Sequence, residues 1–188
     1  MKSPITTLVL LAAICGLLIS TLHALTKTTI VENRQRYSTD QLRAVLGNAS
    51  ENIIQLDDSL YFSESNGKLT GFIFKQSTVQ GYNGNISAWI AINPVQEIRG
   101  VRVYEHQETP GIGDKIDTRV SDWIGNFNGT TLAENNWLLT KDGGDFDHFT
   151  GATVTSRAMV NSVHTGLLTA RNNSIEWTKL ADRYHEQH

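Results

Sequence analysis

An α+β fold is what this chain of 188 residues predicts: an antiparallel sheet with flanking helices, preceded by one N-terminal transmembrane helix. Three observations carry that reading. Apolar runs rich in β-branched and aromatic residues follow one another across short, turn-rich connections from Leu69 to His106, the pattern of an antiparallel meander. A later stretch places Met159, Val163, Leu167 and Ala170 on one helical face. An uncharged run from Ile5 to Leu25 precedes everything else, and about 20 such residues suffice to cross a bilayer as a helix.

The elements follow in order. Met1-Lys2-Ser3-Pro4 leads into the apolar run. A cleaved signal peptide competes with an anchor here. The run is longer than most signal cores, and Leu22-His23-Ala24 puts Leu where a cleavage site prefers a small residue, so an uncleaved anchor is favoured. Lys2 argues for an inside start, but Lys27, Arg34 and Arg36 lie just beyond the run, and the positive-inside count leaves the orientation open. This divides the chain into an anchor over 1–26, a stalk and short helix over 27–50, and a soluble domain over 51–188. The short helix is Ser38 to Leu46: Ser38 and Gln41 fit a capping box, Leu42, Val45 and Leu46 form an apolar face, and Gly47 is a stop.

Asn52 to Ser63 reads as a strand or a turn pair, and Asn66-Gly67 is a hairpin turn. Strands are predicted over Leu69–Val79, with Phe72 and Phe74 on one face, over Ile86–Asn93 and over Val101–His106. The glycine-rich Gln80–Asn85 separates the first two. Glu108 to Gly113 is a bent loop, Thr118 to Gly125 a short helix, and Trp137-Leu138-Leu139 a strand fragment. A helix over Arg157–Arg171 and a separate polar helix over Ile175–Tyr184 close the chain.

Composition narrows the chemistry. The net charge is −3 and no basic block stands out, which argues against a nucleic-acid partner. The one cysteine, Cys15, lies in the apolar run, so internal disulfides and a thiolate metal cage are excluded. A cofactor held covalently by the soluble part therefore needs another nucleophile. The six histidines show no metal-ligand spacing, and the Asp142, Asp145, Asp147 turn reads as a solvated loop rather than a calcium loop. Neither a nucleophile elbow nor a Gly-Lys-Ser/Thr phosphate loop is present.

Two stretches hold candidate chemistry. In Asp147-His148-Phe149-Thr150-Gly151-Ala152-Thr153-Val154-Thr155-Ser156, three hydroxyl residues precede the predicted helix. Thr153, Thr155 and Ser156 are cap candidates, and the start of a helix also accepts a phosphate on its free N–H groups. Gly151 and Ala152 let a ligand approach the backbone. Local physics by itself favours an ordinary cap. In His106-Gln107-Glu108-Thr109-Pro110-Gly111-Ile112-Gly113, local physics gives a turn after a strand.

Together these residues resemble the FMN-binding domain family. Thr150-Gly151-Ala152-Thr153, with Asp147 before it, is similar to that family's flavinylation motif, and His106 to Gly113 is similar to its His-x-Glu-Thr-Pro-Gly-hydrophobic-Gly loop. The two occur in the family's order. The resemblance covers about 81–170. With the anchor and preceding helix, the whole chain resembles the G-subunit family of the Rnf electron transport complex, relatives of the C subunit of the sodium-pumping NADH:quinone reductase. It implies FMN joined through its phosphate to Thr153. It implies that Thr150, Gly151, Ala152 and Thr155 line the phosphate and ribityl end, and that Glu108, Thr109 and Gly111 approach the ring. Asp147 belongs to the motif read by a flavin transferase that uses FAD and magnesium. The implied role is electron relay, without catalysis by this chain alone, beside other membrane subunits of a complex coupling ferredoxin–NAD chemistry to ion transport. The soluble domain is implied to face the periplasm from the bacterial inner membrane. The alternative is a membrane-tethered assembly or interaction module of the same fold that carries no covalent flavin.

Overall fold

The computed structural model describes residues 5, 8–17, 20–21, 41–47 and 51–187. They belong to two units, Met1–Asp40 and Gln41–His188. In the first, residues 8–17 are helical, and Leu8, Val9, Leu10, Leu11, Ile14 and Leu17 are all exposed. Among the described residues no helix is long and apolar enough to cross a membrane. The predicted span Ile5–Leu25 continues into residues outside the described set, as do the 27–40 stalk and Ser38 of the capping box.

The second unit is built on a five-stranded sheet: β1 (Asn52–Gln55), β2 (Leu60–Ser65), β3 (Lys68–Gly81), β4 (Gly84–Ile92) and β5 (Ile98–His106). Spatial order equals chain order, and every neighbouring pair is antiparallel. This is the predicted meander, with Asn52–Ser63 resolved into β1 and most of β2. Asn66 and Gly67 take positive φ values of 52° and 72°, which suit a tight hairpin.

The pleat sends alternate side chains to two faces. Leu60, Phe62, Phe72, Phe74, Ile90, Ile92, Val101 and Val103 enter the main core. Ile73, Trp89 and Ala91 point the other way and meet Leu42, Val45 and Leu46 from a short helix, α1, over 41–46. Gly47, at φ +67°, ends α1 as predicted.

The main core is closed by α2 (Thr153–Gln187), a single helix of 35 residues. The sequence pattern predicts two helices, Arg157–Arg171 and Ile175–Tyr184, divided at Asn172-Asn173-Ser174. That division is corrected: no Gly or Pro interrupts the stretch from Ala170 to Gln187, and the inward stripe runs on through Val163, Leu167, Ala170, Trp177, Ala181 and Tyr184 at helical spacings. Trp177 lies 5.2 Å from Phe74 and 5.7 Å from Phe72, ring centre to ring centre, and Tyr184 lies 5.6 Å from Phe62. Gly166 lets the helix approach the sheet. A Cβ there would sit 2.8 Å from Ile90 Cδ1 and 3.2 Å from Phe74 Cε2. Gly166→Val should therefore overpack the interface and cost about 2 kcal/mol in urea unfolding, although Val is the better helix former.

A polar clamp ties the end of α1 to β5 and to the residue preceding β1. Arg99 donates to both Glu51 oxygens, at 2.6 and 2.8 Å, and to Leu46 O at 3.3 Å. The Arg99 hydrogen bonds hold the Glu51 carboxyl down at about 2; burial opposes them and the Thr70 hydroxyl assists. A depressed carboxylate stabilises the fold above its unfolded value near 4.5, and that stabilisation fades as pH falls toward 2. Arg99→Met should cost about 2 kcal/mol at pH 7. The gap between variant and parent in pH-dependent urea midpoints should narrow below pH 4.

The segment from 107 to 152 covers the rest of the core without regular sheet. The predicted helix Thr118–Gly125 is corrected to turns followed by a 3-10 turn at Trp123–Phe127. The Asp117 carboxylate accepts the Arg119 N–H at 2.8 Å, a side-chain turn that competes with helix initiation. The predicted strand at Trp137-Leu138-Leu139 is reduced to one isolated bridge, Leu139 to Phe146. Aromatic packing holds this region: Phe146 stands 5.0 Å from Phe127 and 4.9 Å from Trp137.

Candidate functional site

Topology brings the two motifs to one end of the sheet. β4 leaves the Tyr82-Asn83 turn and β5 returns beside it, so Ile86 pairs with His106. The loop after His106 therefore lies against the β3–β4 turn. The chain then passes through 107–152 and enters α2 at the same place. Tyr82, Glu108, Thr109, Ile112, Gly113, Gly151, Ala152 and Thr155 line a cavity of about 300 Å³, within the range of small-molecule sites.

The hydroxyl residues do not act as the predicted caps. The Thr155 hydroxyl, fully buried, donates to Glu108 Oε2. Ser156 Oγ accepts the Phe149 N–H and donates to Ala152 O, both at 3.1 Å. Thr153 is the first residue of α2 and half-buried, and its hydroxyl has no partner among the described residues. The N–H groups of Thr153, Val154 and Thr155 are likewise without partners among the described residues, as expected of an uncapped helix start. Gly151, at φ +86°, turns the chain into the helix, and a Cβ on it would meet only Ile112 Cγ2, at 3.9 Å.

On the opposite wall, Glu108 is 4% exposed and its Oε1 accepts the Asn83 N–H at 3.0 Å. Thr109 Oγ1 accepts from Asn83 Nδ2 at 3.1 Å, and Thr109 O accepts the Ile112 and Gly113 N–H groups at 3.2 and 2.9 Å. Behind the loop, His106 Nε2 lies 3.8 Å from Asp117 Oδ2. Burial alone would raise the Asp117 carboxyl, but the Arg119 hydrogen bonds and the nearby positive charge hold it below the usual carboxylate range.

Five of the eight residues predicted for the cofactor thus line the cavity, namely Gly151, Ala152, Thr155, Glu108 and Thr109; Thr153 is not in the lining and begins the helix next to Ala152. Thr150 and Gly111 are exposed on the adjoining turns. Asp147 is also exposed, and its carbonyl accepts the Trp123 indole N–H at 3.0 Å. Tyr82, Asn83 and Trp123, which meet the site at its lining, Glu108 and Asp147, belong to neither motif. The meander was the available signal for the first two, since it requires the β3–β4 turn to neighbour the end of β5. Asp142 pairs with Lys141 and Arg157, and Asp145 Oδ2 accepts the Asn136 N–H at 2.8 Å. Among the described residues no group of His, Cys, Asp or Glu is arranged to hold a metal. A larger groove of about 580 Å³ lies between β3 and α2, along Gln76, Ser77, Asn161 and His164. It contains no residue of either motif.

Residues 81–168 match the family model of the FMN-binding domain. The chain is similar to the G subunit of the ion-translocating oxidoreductase complex of Photorhabdus laumondii, 39% identical over 175 residues and 84% of each chain. The chain belongs to this G-subunit family. The family's member from Aliivibrio fischeri is 35% identical over 87% of each chain. That of Pasteurella multocida is 45% identical over 135 residues, 70% of this chain, and there the match spans only 62% of the relative's length.

The residues present fit FMN. Open backbone at Gly151 and Gly111 allows close approach, and the free N–H groups at the start of α2 suit a phosphate. The mixed lining of Tyr82, Ile112, Thr109 and Ala152 suits a flat ring with a polar edge.

Proposed function

We propose that this chain is a membrane-anchored electron carrier, with FMN attached by a phosphoester to Thr153, in an ion-translocating ferredoxin–NAD oxidoreductase complex. The observation that carries the reading is Thr153 itself: a threonine with an uncommitted hydroxyl, at an uncapped helix start, beside a cavity walled by both motifs. When bound, FMN supplies the redox chemistry. The chain's own groups hold and shield it. N–H groups at the start of α2 face the phosphate, Thr150, Gly151, Ala152 and Thr155 bound the phosphate and ribityl end, and Glu108, Thr109 and Gly111 border the ring. Thr153 Oγ would displace AMP from FAD on a magnesium-dependent flavin transferase. A new O–P bond forms, the diphosphate bond breaks and the hydroxyl proton is lost, with no net redox change. Asp147, exposed on the approach to the helix, would be read by that enzyme.

The membrane part of the proposal rests on the N-terminal run. A helix exposing Leu8, Val9, Leu11 and Leu17 needs an apolar surrounding. The arrangement proposed is a single-pass anchor in the bacterial inner membrane, a periplasmic flavin domain and neighbouring membrane subunits that exchange electrons with it. A covalent link suits a flavin that must face those neighbours without escaping into solvent.

The test is in-gel flavin fluorescence under denaturing conditions, on the full chain produced with and without the transferase, together with intact mass. A fluorescent band and an FMN mass increment only with the transferase are expected. Absence of both would move the chain to the alternative, an assembly module of the same fold.

A further inference from the structure

We infer that Glu108 is a positioning residue: it acts through Thr155 to set the orientation of the first turn of α2, and with it the Thr153 acceptor, rather than by bonding the flavin ring. The inference rests on the flavin reading above and specifies how that site is held.

Both carboxylate oxygens of Glu108 are aimed at protein donors. Oε1 takes the Asn83 N–H of the β3–β4 turn and Oε2 takes the Thr155 hydroxyl of α2. The main chain is pinned too, because the Glu108 N–H donates to His106 Nδ1 at 3.2 Å while Nε2 of the same ring faces Asp117. Glycines enclose the carboxylate closely: a Cβ on Gly81 would come within 2.7 Å of Oε1, and one on Gly113 within 2.9 Å of Oε2. One side chain thus joins three segments that are distant in the chain.

The consequence for Thr153 follows from helix geometry. Successive residues are rotated by about 100°, so positions two apart lie on nearly opposite sides. Tethering Thr155 inward to Glu108 turns Thr153 away from that wall. This agrees with a half-buried Thr153 that is absent from the cavity lining. Without the tether, the first turn keeps the Ser156 bonds and the core packing of Ala158, Met159 and Val160 one turn on, but loses its link to the opposite wall. Among the described residues, Ser156 is the one other hydroxyl in that turn bonded back to the preceding loop.

The experiment is a time course of flavin attachment by the transferase, with FAD and magnesium, on the full chain and on Glu108→Ala, Glu108→Gln, Thr155→Val and the Glu108→Ala/Thr155→Val double variant. Glu108→Ala and Thr155→Val should each slow attachment about tenfold or more, as expected for loss of a buried hydrogen bond. The double variant should be no slower than either single one, since both break the same link. Glu108→Gln retains an acceptor for Asn83 and can donate to Thr155 Oγ1, so it should restore a rate near that of the parent. In the apo chain, amide exchange at Asn83 and in the first turn of α2 should rise in Glu108→Ala and not in Glu108→Gln, a readout that needs no flavin. Two results overturn the inference while leaving the flavin reading intact: Glu108→Ala loading at the parental rate, or Glu108→Gln loading as slowly as Glu108→Ala although its first-turn amide exchange matches the parent's. Failure of the parent chain to load at all would remove the flavin reading and this inference together.

Discussion

Thr153→Ala is expected to abolish the covalent flavin completely while leaving the domain folded. The hydroxyl makes no bond to the protein among the described residues, and the residue opens α2, where alanine is an excellent helix former. The stability change should therefore stay within about 0.5 kcal/mol. Denaturing-gel fluorescence should fall to background in the presence of the transferase, with circular dichroism and the urea midpoint unmoved. Covalent flavin retained in that variant would place the attachment elsewhere, and Thr150, Thr155 and Ser156 would be the hydroxyls to examine. Two of these are poor alternatives in the fold, because Thr155 and Ser156 are buried and already bonded to Glu108, Phe149 and Ala152.

The second large effect is structural. Phe146 is 1% exposed and packs between Phe127 and Trp137 directly before the Asp147–Thr150 approach to the helix. Its backbone also bridges the loop: its N–H donates to Leu138 O at 3.2 Å, and its carbonyl accepts the Thr140 N–H at 2.8 Å. Phe146→Ala leaves a cavity in an aromatic layer and should cost about 3–5 kcal/mol, a fall in Tm of about 10 °C for a chain of this size. Phe146→Leu keeps most of the volume and should cost less than half of that. Flavin attachment should decline with Phe146→Ala even at temperatures where the sheet remains folded, because the motif hangs on this loop. Differential scanning fluorimetry and the loading time course, run on the same samples, separate the two effects.

How much of this was legible beforehand depends on the range of the forces involved. The strands were legible because side-chain alternation is local: Phe72 and Phe74 could be placed on one face from the sequence, and both enter the core. Turns were legible where glycine marks a positive φ, as at Gly47 and Gly67. The predicted break of α2 between Arg171 and Ile175 is absent because tertiary packing, Trp177 against Phe72 and Phe74, holds the helix through it. Thr118 to Gly125 failed for the opposite reason, since the Asp117 side chain bonds the backbone of a near neighbour in preference to a helix start. At the site, residue identities were legible as motifs, but the assignment of the hydroxyls was not. Thr155 and Ser156 have the chemistry of caps, and the fold commits them to tertiary and loop bonds.

The meander, the helical face of α2 and the two motifs that single out Thr153 as the proposed acceptor are written locally, in neighbouring residues with their own spacing and stereochemistry. Tertiary packing alone brings Tyr82 and Asn83 to those motifs, faces Glu108 inward to Thr155, and commits Thr155 and Ser156 while leaving the Thr153 hydroxyl unbonded among the described residues. Those outcomes depend on contacts between segments far apart in the chain, which form only once the sheet has set β5 against β4 and α2 has packed across it.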